Sequence, residues 1–557
     1  MAAALFPLVI ITVLCIFHHQ CLEALTLATK YENDFSYMKA VQNATDLPPA
    51  AEYDYIVVGG GTAGCPLAAT LSANYSVLVL ERGGDPTAYQ DVFRAEEFEA
   101  NMLKLDNGTG PIERFKSEDG VENVRGRVLG GSSMINMGFY SRAERDFYRK
   151  SGVRWDFGLV ENAYEWVEEA IVHGSDLLDW QTAMKEALLE AGVGPYNGFS
   201  LDHKLGTKVS GSIFDEFGGR HGAVELLNRG DLSKLRVAVH ATVERILFSS
   251  GGSGLTATGV IFKDSEGKSH KAFVRNKGEV ILSAGTIGSP QLLLLSGVGP
   301  VSDLSFLKIP VVQPQPHVGK FVADNPRNNI NMVVPFTLYP SFLQIVGITP
   351  DFYLETASYI APFTTAFASK SSSLSGNLST YPPLDLSVAT ICTKVPGPSS
   401  YGSLSLASSV DVKVIPTIRF NYLSDPRDLA RCVKALRKVG DLFKTKALAG
   451  FKFDKDFEGE LGFKFFGPSL PMDYESSNSS VEDVCRSTVT TWWHYHGGCL
   501  VGKVVDGEFR VMGIKGLRVV DGSVFSVSPG TNPQATIMML GRYVGLRMLR
   551  QRIVAGK

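Results

Sequence analysis

Near its C-terminal end the chain concentrates groups that can move protons, in Trp492-Trp493-His494-Tyr495-His496-Gly497-Gly498. Imidazole is the usual general base at neutral pH, because its ordinary pKa of about 6.5 lies close to working conditions. A histidine among aromatic rings is read equally well as a packed core residue, and for His496 a structural role is the stronger reading. Trp492, Trp493 and Tyr495 suit the walls of an apolar substrate pocket, though packing accounts for them as readily. The second polar group is Asn532, in Gly530-Thr531-Asn532-Pro533-Gln534. A carboxamide can hold a hydroxyl by hydrogen bonds but cannot carry its proton at neutral pH. An Asn before Pro can also simply fix a turn.

These groups need a scaffold, and the first stretch that specifies one is Tyr53-Asp54-Tyr55-Ile56-Val57-Val58-Gly59-Gly60-Gly61-Thr62-Ala63-Gly64. Residues 55–58 form a β-branched and aromatic run that predicts a buried strand. Gly59, Gly61 and Gly64 have the G-x-G-x-x-G spacing, and the apolar pattern after them is helical. The first glycine permits the tight turn, the second lets a diphosphate approach the backbone, and the third lets helix pack on strand. The start of that helix offers free N–H groups to an anion. Residues 76–80 predict a second strand ending in Glu81, a carboxylate placed for a ribose hydroxyl pair. The competing reading is a tight structural turn with no ligand.

The remaining elements are coarser. Residues before about 51 read as a polar arm, and 84–120 as loop-rich. Residues 155–194 carry a helical pattern, while 235–248 and 254–262 read as strands. Residues 333–420 suit an antiparallel sheet, 429–448 a helix with a lysine-rich solvated face, and the serine-rich stretch 369–375 a loop.

A chain of 557 residues implies two or three domains. Its net charge of −3 with 20% charged residues excludes a basic field for nucleic acid. Residues 1–26 read as a signal peptide with an apolar core, and no later run is long and apolar enough to span a membrane. Sequons at Asn43, Asn74, Asn107, Asn377 and Asn478 fit a glycoprotein of the secretory pathway, destined for the extracellular space, cell wall or vacuole. Beyond that segment lie Cys65, Cys392, Cys432, Cys485 and Cys499. Cys65 reads as a buried small apolar residue. Cys432 and Cys485, in polar and helix-like surroundings, are the candidate disulfide.

Two further glycine-rich stretches make a resemblance specific: Gly126-Arg127-Val128-Leu129-Gly130-Gly131-Ser132-Ser133-Met134-Ile135-Asn136 and Gly285-Thr286-Ile287-Gly288-Ser289-Pro290-Gln291. With Asp521-Gly522-Ser523 and Asn532-Pro533-Gln534 they resemble the glucose–methanol–choline (GMC) flavoprotein oxidoreductases from about residue 53 onward. Within that family, Asp34-Phe35-Ser36-Tyr37, Ser117-Glu118-Asp119-Gly120, Gly198-Phe199-Ser200-Leu201-Asp202-His203 and Trp493-His494-Tyr495-His496 are similar to the plant (R)-mandelonitrile lyase-like branch. The resemblance implies an α/β fold: a doubly wound, Rossmann-like FAD-binding domain from 50–140, 210–330 and 495–557, and an α+β substrate domain with an antiparallel sheet from 141–209 and 331–494. It implies FAD held by Gly59, Gly61, Thr62, Ala63, Gly64, Glu81, Arg82, Val128, Gly130, Gly131, Ser132, Asn136, Val243, Asp521, Gly522, Asn532, Pro533 and Gln534. No metal is expected.

It also makes His494 the catalytic base and Asn532 its partner on the substrate oxygen. Lyases of the branch pair the first histidine with a second histidine, a tyrosine two residues before it and a substrate-domain cysteine. Here Asn532 replaces the second histidine, Trp492 replaces the tyrosine, and Glu355 or a neighbour falls near the cysteine's place. These departures put oxidation of a small aromatic alcohol first, with hydride transfer to flavin N5 and reoxidation by O2 or another acceptor. Cleavage of a cyanohydrin by a mandelonitrile lyase is the alternative, and a non-catalytic secreted flavoprotein the third reading. A small-molecule substrate and a monomer are expected.

Overall fold

The computed structural model describes residues 33–174, 176–251, 254–362, 385–453 and 462–554. The expected signal peptide, the Asn377 sequon and the 369–375 loop lie outside them.

Strand β1 (Ala50–Val58) buries Tyr55, Ile56, Val57 and Val58. A strand hidden on both faces must be apolar throughout its inner part, as a parallel sheet requires. Helix α1 (Gly64–Ser72) crosses over and returns the chain to β2 (Val77–Leu80), parallel to β1 with Tyr55 beside Val77 and Val58 beside Leu80. β3 (Leu235–Val239) extends the sheet in parallel beyond β2, and the short strand Val41–Asn43 closes that edge. The segment before residue 51 is therefore not a free arm. Tyr37, Ala44 and Leu47 are buried in the main core.

The strand expected over 235–248 is interrupted. His240 adopts a positive φ of 56°, and the chain leaves the parallel sheet there. β4 (Thr242–Gly251), β5 (Gly254–Lys263) and β6 (Ser269–Leu282) then form an antiparallel meander, and β6 returns parallel to β1. The strand Leu517–Val519 adds to β6 in parallel. Helix α2 (Gly285–Leu295) follows β6 as α1 follows β1, so both open near the same end of the sheet. Within the loop-rich section Ile112–Lys116 is a strand, and it forms a hairpin with Glu122–Gly126 just beyond that section.

A second sheet is mainly antiparallel. β7 (Pro326–Val333), β8 (Tyr353–Pro362) and β9 (Asp385–Lys394) lie in the order β7-β9-β8. Ile345–Ile348 and Gly206–Val209 continue it in antiparallel, and Tyr196–Phe199 ends it in parallel. Its covering helix α3 (Pro426–Phe443) starts earlier than expected, with Pro426 in its first turn and the Asp425 side chain accepting from Arg427 N. The expected disulfide is present: Cys432 on α3 joins Cys485 on the helix Asn478–Ser487. The helical pattern of 155–194 resolves into Phe157–Ile171 and Asp179–Glu190. Among the described residues no helix is long and apolar enough to cross a membrane.

Candidate active site

One cavity of ≈ 820 Å³ extends from the first glycine turn to the loop bearing His494 and to Asn532. Its volume falls within the usual range of about 300–1,000 Å³ for cofactor and ligand sites. At the turn the glycines are demanded by contact. A Cβ on Gly59, where φ is +101°, would lie 2.5 Å from the Ser283 carbonyl oxygen, and one on Gly64 would lie 2.0 Å from that of Gly59. Gly61 and Gly131 face each other across the cavity, and a Cβ on Gly131 would meet Gly61 Cα at 2.8 Å. Two bare backbone segments thus form a narrow cradle that side chains would close. It fits the diphosphate of a dinucleotide lying against free N–H groups.

The side chains named from sequence distribute unevenly around this cradle. Thr62, Ala63, Ser132, Asn136, Val243, Gly522, Pro533 and Gln534 line the cavity. Gly64, Val128 and Gly130 do not line it. Val128 is fully buried behind the cradle, and Gly130 N donates to Gly60 O at 2.7 Å, so these residues shape the loops from behind. Glu81 lines the cavity with its carboxylate already bracing the turn, accepting from Gly60 N at 3.0 Å and Gly83 N at 2.7 Å. Arg82 is held by both oxygens of Glu113. Asp521 is taken up similarly: its oxygens accept from Gly285 N, Ser289 Oγ and Ser523 N and Oγ. Asn136 Nδ2 donates to Gln534 Oε1 at 2.9 Å, tying two distant stretches together.

At the other end the geometry is set by side chains. Trp493 has a positive φ of 57°, which turns the chain sharply before His494. Asp324 holds that turn: Oδ1 accepts from His494 N at 2.8 Å, and Oδ2 accepts from Thr491 Oγ1 and Tyr422 OH, both at 2.6 Å. Burial pushes the Asp324 carboxyl up to about 6. The Trp492 and His494 rings stack at 5.7 Å and 16°. Trp492 Nε1 donates to Thr393 O, and Tyr495 OH donates to Asn123 Oδ1, so these two wall residues are pinned at their polar ends, while Trp493 Nε1 is buried without a hydrogen-bond partner among the described residues. His494 Nδ1 is buried without a hydrogen-bond partner among the described residues, while His494 lines the cavity. Burial, followed by Lys394, His496 and Arg327, pushes its imidazole well below the ordinary value. His496 Nδ1 lies 3.1 Å from His494 O, and burial brings it down to about 4.

Beneath Asn532 lies a pair of charges that the sequence did not single out together. Lys394 Nζ donates to Glu355 Oε1 and to Asn532 Oδ1, each at 2.5 Å, and both charged side chains are 0% exposed. Asn532 Nδ2 faces Glu355 Oε2 at 3.4 Å. Glu355 is also the strand partner of Cys392 across β8 and β9. Met137, Phe139 and Leu343 complete the apolar wall. Asp324 and Lys394 carry no motif of their own. No local signal could have placed Lys394, which meets Asn532 across 138 residues of chain.

A doubly wound sheet, a bare-backbone cradle and a cavity ending at a histidine and an amide define a dinucleotide-type flavoprotein. The chain belongs to the GMC oxidoreductase family, whose N- and C-terminal models match residues 53–327 and 398–541, and its cofactor is FAD. It is 54% identical over 530 residues to (R)-mandelonitrile lyase 1 of Prunus serotina, covering 95% of this chain and 92% of that one. It is 51% identical to the sinalpyl alcohol oxidase Nec3 of Nesocodon mauritianus, covering 93% and 92%. The crystal structure of formate oxidase has the same fold, with a TM-score of 0.74 at 20% identity over 91% of this chain and 99% of that one.

Proposed function

We propose that the chain cleaves an aromatic cyanohydrin to an aldehyde and hydrogen cyanide. The observation that carries this reading is His494, a buried imidazole on the cavity wall with Asn532 nearby and the cations Lys394 and Arg327 around it. In the reaction the neutral ring takes the hydroxyl proton, the carbon–cyanide bond breaks with its electron pair leaving on cyanide, and the carbonyl forms. The imidazolium then returns the proton to cyanide. An imidazole whose cation is disfavoured is a strong acid once protonated, so one histidine serves as both base and acid. This removes the objection raised by Asn532 in place of a second histidine. The same neighbouring charges that disfavour imidazolium favour a departing anion.

FAD would rest on the Gly59–Gly64 and Gly131–Asn136 backbones, supplying when bound a two-electron acceptor that cyanohydrin cleavage does not consume. The likeness to a named mandelonitrile lyase supports this reading. A second reading, oxidation of an aryl alcohol to its aldehyde, is favoured by Asn532 itself. A carboxamide holds a hydroxyl oxygen without offering a second proton carrier, and oxidation needs one base only. The likeness to an alcohol oxidase supports it. We place the chain in the secretory pathway on residues 1–26 and the Cys432–Cys485 bridge.

The test is direct. Holoenzyme mixed with mandelonitrile should release benzaldehyde and cyanide, and anaerobic benzyl-type alcohols should leave the oxidised flavin spectrum unchanged. Bleaching by alcohol with mandelonitrile left intact replaces the lyase reading with oxidation.

A further inference from the structure

We propose that Glu355 and Lys394 are positioning residues that fix the hydrogen-bond polarity of Asn532, making it a donor-only group toward the substrate oxygen. The inference rests on the reading above that His494 and Asn532 meet that oxygen. A carboxamide has two faces of opposite character, an accepting oxygen and a donating NH2, and an isolated Asn can present either. Here the choice is made by charge. The Lys394 ammonium bonds Oδ1 at 2.5 Å, and the Glu355 carboxylate faces Nδ2 at 3.4 Å. A flipped amide would set NH2 against the ammonium and carbonyl oxygen against the carboxylate, repulsive on both sides.

The pair is itself rigidly placed. Its two side chains are 0% exposed, they bond at 2.5 Å, and Nζ sits 4.3 Å from the centre of the Tyr353 ring. Burying two charges so fully costs stability that packing alone would not require, which points to a role in specifying geometry. Asn532 is only 7% exposed, yet it lines the cavity, so the hydrogen of Nδ2 that does not face Glu355 is the one left for a bound molecule.

The chemical consequence is directional. A donor-only Asn532 must meet a lone pair of the substrate oxygen, so a substrate hydroxyl cannot point its hydrogen there. Its hydrogen is left for His494. The same N–H remains bonded to that oxygen as it becomes a carbonyl, so the site grips the aldehyde product by its oxygen. This applies whether the other product is cyanide or a hydride equivalent.

The experiment compares binding of benzaldehyde with that of styrene, which replaces the carbonyl oxygen by CH2, followed through the absorbance of bound flavin in holoenzyme. Wild-type protein should prefer benzaldehyde, and Asn532→Ala should lower that preference about tenfold, the scale of one hydrogen bond. Glu355→Gln/Lys394→Met, which removes both charges together and leaves neither one buried alone, should lower it as much with Asn532 still in place. Glu355→Gln alone keeps a side-chain oxygen that can accept from Lys394 Nζ; it should lower the preference about threefold, and it keeps the test usable if the double variant loses flavin. A preference unchanged in either charge variant, with Asn532→Ala still lowering it, overturns the proposal. No effect of Asn532→Ala overturns it as well. If the preferences fall as expected while neither mandelonitrile nor benzyl alcohol turns over, the proposed function fails and this inference stands.

Discussion

The two ends of the cavity are built on different principles. The cradle at Gly59–Gly64 and Gly131 is made of backbone, and what it needs is the absence of side chains. The end at His494 and Asn532 is made of side chains, held by a fully buried ion pair and by the three-way acceptor Asp324. A backbone cradle tolerates any neighbour that leaves it bare. A charged cluster tolerates very little, because each member left alone is a buried charge without a partner. On the proposed reading, the first end sets what kind of cofactor enters, and the second sets what happens to the molecule beside it.

The largest effect should separate the two ends completely. His494→Ala should leave bound FAD, seen in the visible spectrum, while lowering kcat about 10²–10⁴-fold, the range for a general base. Loss of flavin from that variant would break the division between the cradle and the His494 end. Next, replacing Cys432 and Cys485 by Ala should lower unfolding free energy by about 2–5 kcal/mol in chemical denaturation. The bridge anchors the helix Asn478–Ser487 that leads into the loop bearing His494, so on the proposed reading activity should be lost at lower denaturant than flavin. Simultaneous loss would mean the two ends unfold as one.

A smaller and opposite perturbation is Gly64→Ala, whose methyl would collide with the Gly59 carbonyl. It should cost about 1–3 kcal/mol as overpacking and weaken FAD binding, while whatever fraction retains flavin turns over normally. The mildest test is pH. Burial and neighbouring cations hold the folded imidazole of His494 below the ordinary value of about 6.5, so the base stays deprotonated as pH falls through that point. The kcat/KM profile should be level across pH 6.5 and decline only at lower pH. A break at 6.5 would show an imidazole in water-like surroundings.

The same division explains what was legible in the sequence. The cradle could be read because its constraint is local: a strand, glycines at fixed spacing, then a helix, all within residues 53–72. Val128 and Gly130 lie in the expected loop without lining the cavity, since spacing says nothing about which face a residue presents. The break at His240 was missed because residues 235–248 are uniformly strand-like, and the turn depends on one positive φ. Lys394 and Asp324 were not singled out because their partners lie far along the chain; the pairing of strands β8 and β9 brings Lys394 beside Glu355. Glu355 was noticed only through its misfit to a related pattern.

The edge strand Val41–Asn43 carries a consequence for the timing of modification. Asn43 belongs to a sequon, yet it is half-buried and lines the cavity beside the parallel sheet. Asn74, Asn107 and Asn478 stand exposed and can accept an oligosaccharide on the finished protein. For Asn43 the transferase would have to arrive first, while the chain is still emerging and the edge has not yet docked.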